Sequence, residues 1–296
     1  MIRIGVDVGG TKIEIAAIDE SGAELLRRRA PAPGGRYQDA IGAIAKFILE
    51  AERAVGTRCS VGIGTPGAVS ISGTLKNAYA SALNGMPVKL DLERLLDREV
   101  RLANDANCFA LSEAIDGAAK GAQVVFGVIL GTGVGGGIAV DGRAIEGANS
   151  IGGEWGHNSL PWPSPDEMPG PRCACGRNGC IEAFLSGPGL ARDHWLAIRE
   201  SREPADIAAL AESGDRGCAA TFERYEERLA RALASVINLL DPDVIVLGGG
   251  LSKIERLYRN VPVRWGPHVY SDTVVTPLVK AAHGDASGVR GAARLW

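Results

Sequence analysis

No stretch of this chain approaches the ~18 consecutive apolar residues of a membrane span, so a membrane-spanning helix is not expected. The opening residues, MIRIGVDVGG, lack a charged segment followed by a long apolar run, and no secretory leader is read from them. No basic patch and no acidic tail stands out, and the net charge is only -3. Nucleic acid is therefore not an expected partner. These absences together point to a cytoplasmic location. There the six cysteines are expected to be reduced thiols or metal ligands, not disulfides.

What is abundant is glycine, with 40 residues, most of them in tight clusters. Clustered glycine signals close backbone approach or turns with positive φ, and both suit phosphate sites. The 296 residues, 46% hydrophobic and 23% charged, allow one large domain or two lobes with a core of ordinary composition.

The chain opens with a strand over residues 2–8, a Gly turn, a second strand over 13–19 and a third over 23–28. A helix over 37–55 follows, with Ile41, Ile44, Ala45, Ile48 and Leu49 on one face. Short strands are expected at 60–64, ending in Thr65-Pro66-Gly67, and at 100–103, with a helix starting after Asn104. Then the opening pattern recurs. A strand over 124–130 leads to a Gly-rich turn over 131–137, a returning strand over 138–140, and a third strand after the Asp141-Gly142 turn. A unit that occurs twice suggests two lobes with related sheets and a ligand cleft between them. Residues 161–171, with five prolines, read as an extended, non-helical loop. A helix over 218–240 carries Phe222, Tyr225, Leu229, Leu233, Val236 and Leu240 as a core stripe. A strand over 243–247 runs into Gly248–Gly250 and then into a helix near Ser252.

Five constellations carry chemistry. In Asp7-Val8-Gly9-Gly10-Thr11-Lys12, backbone N–H groups, a hydroxyl and a cation could grip an anion, and Asp7 could hold Mg2+ through water. An ordinary hairpin turn is the plain alternative. Gly131-Thr132-Gly133-Val134-Gly135-Gly136-Gly137 has no following Lys and opens no helix, so it is neither a Walker loop nor a dinucleotide fingerprint. It repeats the first turn at the equivalent place, and two such turns would hold the β- and γ-phosphates of a nucleotide. Gly248–Gly250 reads either as an adenosine-side wall or as a tight strand–helix turn. Asn104-Asp105 precedes a helix. Spacing alone favours a helix cap, while the sharper reading is a carboxylate that takes a proton from a substrate hydroxyl.

His157, Cys173, Cys175 and Cys180 form the fifth. One imidazole and three thiolates are a usual closed tetrahedral zinc set. Gly176 and Gly179 would fold the backbone around the ion, although C-x-C-x4-C is not the common C-x2-C knuckle. Buried thiols are the rival reading, and Cys59, Cys108 and Cys218 are expected in the core. Glu154 and Glu182 flank this cluster, and paired carboxylates could accept sugar hydroxyls. Taken from sequence alone they are equally surface residues.

Together Asp7–Lys12, Asn104–Asn107, Gly131–Gly135, Glu154-Trp155-Gly156-His157 and Cys173–Glu182 resemble the ROK family of sugar kinases and repressors. The likeness runs from Ile4 to the terminal HGDASGVRGAARLW. The stretches RLANDANCFALSEAIDGAAKGAQ, GEWGHNSLPW and DPDVIVLGGGLS look most like ROK fructokinases. The resemblance implies an α/β, two-lobed actin-like ATPase (ribonuclease H-like) fold with duplicated sheets and an interlobe cleft. Residues 1–117, joined by a C-terminal helix over about 285–296, would form one lobe, and residues 118–284 the other. It further implies transfer of the ATP γ-phosphoryl to a hexose, with fructose the favoured acceptor and N-acetylglucosamine or glucose the alternatives. By this likeness Asp105 is the base. Asn104, Asp105, Glu154, His157, Glu182 and Gly67 bind the sugar, and His157 doubles as a ligand of a structural zinc. Gly5, Asp7, Gly9, Gly10, Thr11, Lys12, Gly131, Thr132, Gly133, Val134, Gly135, Gly136, Gly249 and Gly250 would bind ATP and Mg2+. A homodimer is expected on the same ground. A sugar-sensing repressor would carry a helix-turn-helix before the phosphate turn. With that turn at Gly9 and Asp105 in place, a kinase is the expectation.

Overall fold

The computed structural model describes residues 1–32, 35–78 and 82–296. The Gly turn at its start lets the chain reverse, so β1 (Arg3–Val8) and β2 (Lys12–Ile18) pair antiparallel with Asp7 opposite Glu14. A turn held by Asp19 Oδ1, which accepts from the Ser21 and Ala23 amides at 2.9 Å, brings in β3 (Glu24–Pro31). Helix α1 (Tyr37–Val55) buries Ile41, Ile44, Ala45 and Ile48 as expected and ends at Gly56, whose φ is 74°. Leu49, assigned to the same face, is 42% exposed. It lies about 100° around the helix from Ile48, at the rim of the stripe.

There follow β4 (Ser60–Thr65), β5 (Ala68–Val69), β6 (Leu75–Lys76), α2 (Val88–Leu96), β7 (Arg101–Asn104) and α3 (Asp105–Ile115). The second half holds β8 (Val124–Leu130), β9 (Val134–Val140), β10 (Arg143–Ala144), α4 (Ile181–Leu185), α5 (Gly187–Ile198), α6 (Pro204–Glu212), α7 (Arg216–Leu240), β11 (Val244–Gly248), α8 (Arg256–Trp265), β12 (Leu278–Lys280) and α9 (Ser287–Ala293). No described helix is long and apolar enough to cross a membrane.

The expected duplication is present. One sheet has the order β3-β2-β1-β4-β7 and the other β10-β9-β8-β11-β12. In the first, β1, β4 and β7 run parallel, and in the second, β8, β11 and β12 do. Two compact units result. The first comprises Met1–Gly121, Gly137–Gly153 and Asp285–Trp296, and the second Ala122–Gly136 and Glu154–Gly284. Residues 137–153, assigned from sequence to the second lobe, thus belong to the first unit, because β9 passes from one unit into the other.

Three local expectations are corrected. The strand expected at 138–140 begins at Val134, so Gly135, Gly136 and Gly137 are strand residues and not turn. Gly137 has a packing reason, since a Cβ there would stand 2.2 Å from the Ala106 carbonyl oxygen. The proline-rich loop contains one 3-10 turn over Pro165–Glu167, with Pro at its first position, where its fixed φ suits a helical start. After Gly249 the chain forms a 3-10 turn over Gly250–Lys253 before α8.

The C-terminal α9 packs on β1, β2, β4 and α3. The approach is backbone to backbone. An added Cβ would lie 1.9 Å from the Val289 oxygen at Gly5, 1.8 Å from the Ala292 oxygen at Gly62, and 1.7 Å from the Cys108 oxygen at Gly291. Gly5 therefore lies mid-strand under α9, where packing accounts for the missing side chain.

Gly62→Ala should lower unfolding stability by about 3 kcal/mol, the upper range for overpacking, because backbone cannot yield as a side chain can. Gly42→Ala, on α1 with nothing within 4 Å of the added carbon, should raise it by about 0.5–1 kcal/mol. Urea denaturation of both variants checks the contrast.

Candidate functional site

In the first unit, β1 brings Asp7 to the turn. The Gly9 N–H donates to the Lys12 carbonyl at 2.9 Å and closes it, while Gly10, Thr11 and Lys12 are exposed. Burial, followed by the neighbouring Glu14 charge, pushes the Asp7 carboxyl up to about 6. Gly288 of α9 makes room for it, since a Cβ there would stand 3.2 Å from Asp7 Oδ2. Glu14 is 1% exposed and accepts from Arg27 and from Arg29, the latter at 2.7 Å. A buried carboxylate of this kind needs such partners, because stripping one from a buried pair typically costs about 3–5 kcal/mol.

At the start of α3 the cap is Asn104. Its Oδ1 accepts from the Ala106 and Asn107 amides at 2.8 and 3.3 Å, and its Nδ2 donates to the Gly67 carbonyl at 2.9 Å. Such a cap contributes about 1 kcal/mol. Asp105 is the first helical residue, with Oδ1 2.8 Å from the Ala106 amide. Its charge sits where the helix dipole favours an anion. Gly67 has φ +75°, and a Cβ there would lie 2.1 Å from the Lys76 oxygen, so only glycine fits.

In the second unit, the turn Gly131–Gly133 joins β8 to β9. The Gly131 N–H donates to the Gly133 carbonyl at 3.0 Å, and the Gly131 carbonyl accepts from Gly187 N–H at 2.8 Å. The next amide, Val134 N–H, donates to Glu182 Oε2 at 3.0 Å. Val134 was assigned to phosphate binding from sequence, but its amide is committed to Glu182. Gly136 is buried within β9, and the Gly135 carbonyl accepts from Trp155 Nε1 at 3.1 Å. Beyond this strand stand Glu154 and the 3-10 turn Trp155–His157, with Glu154 and His157 both half-buried.

His157, Cys173, Cys175 and Cys180 converge, and their ligand atoms all lie within 4.8 Å of one another. His157 Nδ1 is 3.6 Å from Cys173 Sγ, and Cys175 Sγ is 3.6 Å from Cys180 Sγ. Thiolates bound ~2.3 Å from a tetrahedral zinc stand roughly 3.8 Å apart, so the four residues fit a closed metal site. The loop folds as expected at Gly176 and Gly179, with φ of 88° and 73°. The Arg177 backbone N–H lowers the Cys175 thiol to about 6, whereas burial raises Cys173 to about 12. Cys173 Sγ is also 3.6 Å from Glu182 Oε1. One carboxylate therefore links the Gly turn to the cysteine cluster, and each of its oxygens keeps a second lone pair. Cys59, Cys108 and Cys218 are buried and apart from this cluster, as expected of core residues.

A cavity of about 1170 Å3 opens beside the same turn, lined by Gly131, Thr132, Gly187, Pro188, Ala208, Gly250, Lys253 and Arg259 among others. It is ample for a nucleoside and its phosphates. Of the third Gly run, Gly250 lines it. Gly249, with φ +82°, packs instead on β8, where a Cβ would stand 2.4 Å from the Leu130 oxygen. The turn reading thus holds at Gly249, and Gly250 is left as the candidate wall residue.

The ROK family model matches residues 3–296. The chain belongs to the ROK family. It is 42% identical to an Escherichia coli N-acetyl-D-glucosamine kinase over 98% of each chain. A ROK hexokinase from Thermus thermophilus superposes with a TM-score of 0.89 at 31% identity, covering 100% of this chain and 97% of that one. A ROK glucokinase from Streptomyces griseus, solved with glucose and AMPPNP, gives a TM-score of 0.81 at 28% identity, covering 100% and 99%. The fold is accordingly the actin-like sugar-kinase fold.

Sequence reading missed three features of this ROK chain. Glu14 could have been noticed as the lone acidic residue within the mostly apolar strand KIEIAAI. The Glu182 link had no local signal, since Val134 and Glu182 are 48 residues apart. Glu167 of the proline-rich loop is buried and paired with Arg228 and Arg231 of α7 at 2.8 and 2.9 Å, partners that spacing could not reveal.

Gly133→Val should disturb more than the Gly131–Gly133 turn. A Cβ at Gly133 would lie 2.8 Å from Glu182 Oε2, so the carboxylate must leave its bond to Val134. Calorimetry should show weakened binding of both the nucleotide and the sugar. Unchanged sugar affinity would show that Glu182 can move without consequence.

Proposed function

We propose that this ROK sugar kinase transfers the γ-phosphoryl group of ATP to the 6-hydroxyl of a hexose, with N-acetyl-D-glucosamine as the acceptor. The single observation that carries the choice of acceptor is the 42% identity, over 98% of both chains, to an N-acetyl-D-glucosamine kinase. D-Fructose is the second reading, favoured by the fructokinase-like stretch GEWGHNSLPW, and the relatives support it less. Assay of ADP release against N-acetylglucosamine, glucose, mannose and fructose tests this. The highest kcat/KM is expected for N-acetylglucosamine, and a higher value for fructose would reverse the order.

In the proposed mechanism Asp105 is the general base. A sugar hydroxyl is a poor nucleophile until its proton can leave, and a carboxylate in hydrogen-bond reach orients it and accepts that proton. Phosphoryl transfer is loose, so orientation counts for more than early deprotonation. Asn104 and Gly67 brace this end of the site, and Glu154, His157 and Glu182 contribute hydrogen bonds to the sugar. The exposed amides of Gly10 and Thr11, with Lys12, grip phosphate, and so does the Gly131–Gly133 turn, while the large cavity beside Gly250 takes the nucleoside. Asp7 fits a water-mediated hold on Mg2+, which would neutralise phosphate charge.

Zinc on His157, Cys173, Cys175 and Cys180 would be structural. Four protein ligands fill a tetrahedral ion, so its task is to hold the loops carrying His157 and Glu182. Metal analysis should find about one zinc per chain, as a single four-ligand site requires. Fully active, zinc-free protein would exclude the assignment.

Asp105→Asn should fold and melt like the parent, because Asn104 and not Asp105 caps α3. Its kcat should fall by about 10²–10⁴, the usual share of a general base. Near-parental kcat in a stable variant would remove Asp105 from the mechanism.

A further inference from the structure

A small cavity of about 30 Å3 lies within the first unit, against Asn104 and Gly67, and Thr65 and Asn107 form part of its wall. Thr65 ends β4 and stands opposite Asn104 of β7, while Asn107 is in the first turn of α3. They are 1% and 4% exposed. Thr65 Oγ1 and Asn107 Oδ1 are both buried and have no hydrogen-bond partner among the described residues. Two orphaned oxygens on residues that line one cavity are unusual, because buried polar groups are nearly always satisfied. The cavity exceeds the ~10–15 Å3 that a single water needs.

We propose that this cavity is a binding site for one hydroxyl oxygen, held by Thr65 and Asn107, and that these two are positioning residues for Asn104 and Asp105. An O–H donates to Asn107 Oδ1, and the same oxygen exchanges a hydrogen bond with the Thr65 hydroxyl. Held so, it braces the end of β4 against the first turn of α3, the two places from which Gly67, Asn104 and Asp105 are presented. Asn104 does not supply this bond: its Oδ1 accepts from two amides and its Nδ2 donates to the Gly67 carbonyl, while Thr65 Oγ1 and Asn107 Oδ1 stay without a partner among the described residues. The oxygen belongs either to an ordered water or to a hydroxyl of the hexose, and the second source rests on the sugar-kinase reading above.

The test is Thr65→Val, which keeps shape and removes the hydroxyl, beside Thr65→Ser, which restores it. Thr65→Val should lose about tenfold in kcat/KM, as for a hydrogen bond left unmade, and Thr65→Ser should recover most of it. If the oxygen is a water, the loss falls on kcat alike for every hexose and its deoxy analogues. If it is a sugar hydroxyl, the loss falls on KM and disappears for the one deoxy analogue that lacks that group. A Thr65→Val enzyme with parental kcat and KM that melts higher than the parent overturns the proposal, because an orphaned hydroxyl would then merely have been removed. A high-resolution crystal structure supplies the independent arm: an ordered oxygen within hydrogen-bond reach of both side chains, without or with hexose, is expected, and its absence from both overturns the site. Should the parent phosphorylate no hexose, the kinase reading falls, while the crystal structure and the melting comparison still decide this one.

Discussion

The Glu182 carboxylate, with one oxygen accepting the Val134 amide and the other beside Cys173 Sγ, is the contact around which the second unit's candidate site is arranged. Val134 starts β9, directly after the Gly131–Gly133 turn, so the carboxylate sets where that turn ends. Glu182 itself is the second residue of α4, where the helix dipole favours its charge. Cys180 immediately precedes α4 and joins the metal-ligand cluster. A shift of α4 therefore moves the turn and the cluster together. A metal held there would fix the loop that precedes α4, and with it the position of Glu182.

Glycines of three kinds occur in this chain. At Gly131 nothing stands within 4 Å of an added Cβ, so no packing demand accounts for the residue. At Gly5, Gly62 and Gly291 it lets α9 and the first sheet meet backbone to backbone. At Gly67 and Gly249 it permits positive φ at a strand end where a Cβ would strike a carbonyl oxygen. The three are indistinguishable by composition, and for this reason Gly5 and Gly249, which packing accounts for, were grouped with the candidate nucleotide-binding glycines.

Much of the architecture was legible beforehand. α1 and β8 fall at the residues that periodicity indicated, and the repeated strand–Gly turn–strand unit appears as two sheets of like order. These features rest on local patterning, in which a buried face must recur every two or 3.6 residues along one element. The start of β9 was misplaced because three consecutive glycines look like turn residues, whereas pairing with a neighbouring strand holds them extended. The cysteine cluster was legible for a different reason, since one imidazole and three thiols close together in sequence are a usual set for a closed metal site.

The choice between cap and base at the start of α3 shows where local reading stops. Asn and Asp are both good caps, and two adjacent residues cannot be ranked by spacing. Only the backbone decides, because the residue with extended φ and ψ of -63° and 146° is Asn104, and its side chain alone can reach the second and third amides. Residue order thus settled which groups carry charge, which can ligate a metal and which segments must be strand or helix. Tertiary structure alone decided which of them meet: Glu182 with Val134, Glu14 with Arg27 and Arg29, Thr65 and Asn107 on one cavity wall. Those pairings depend on how elements distant along the chain pack, and burial selects them after the local pattern is already complete.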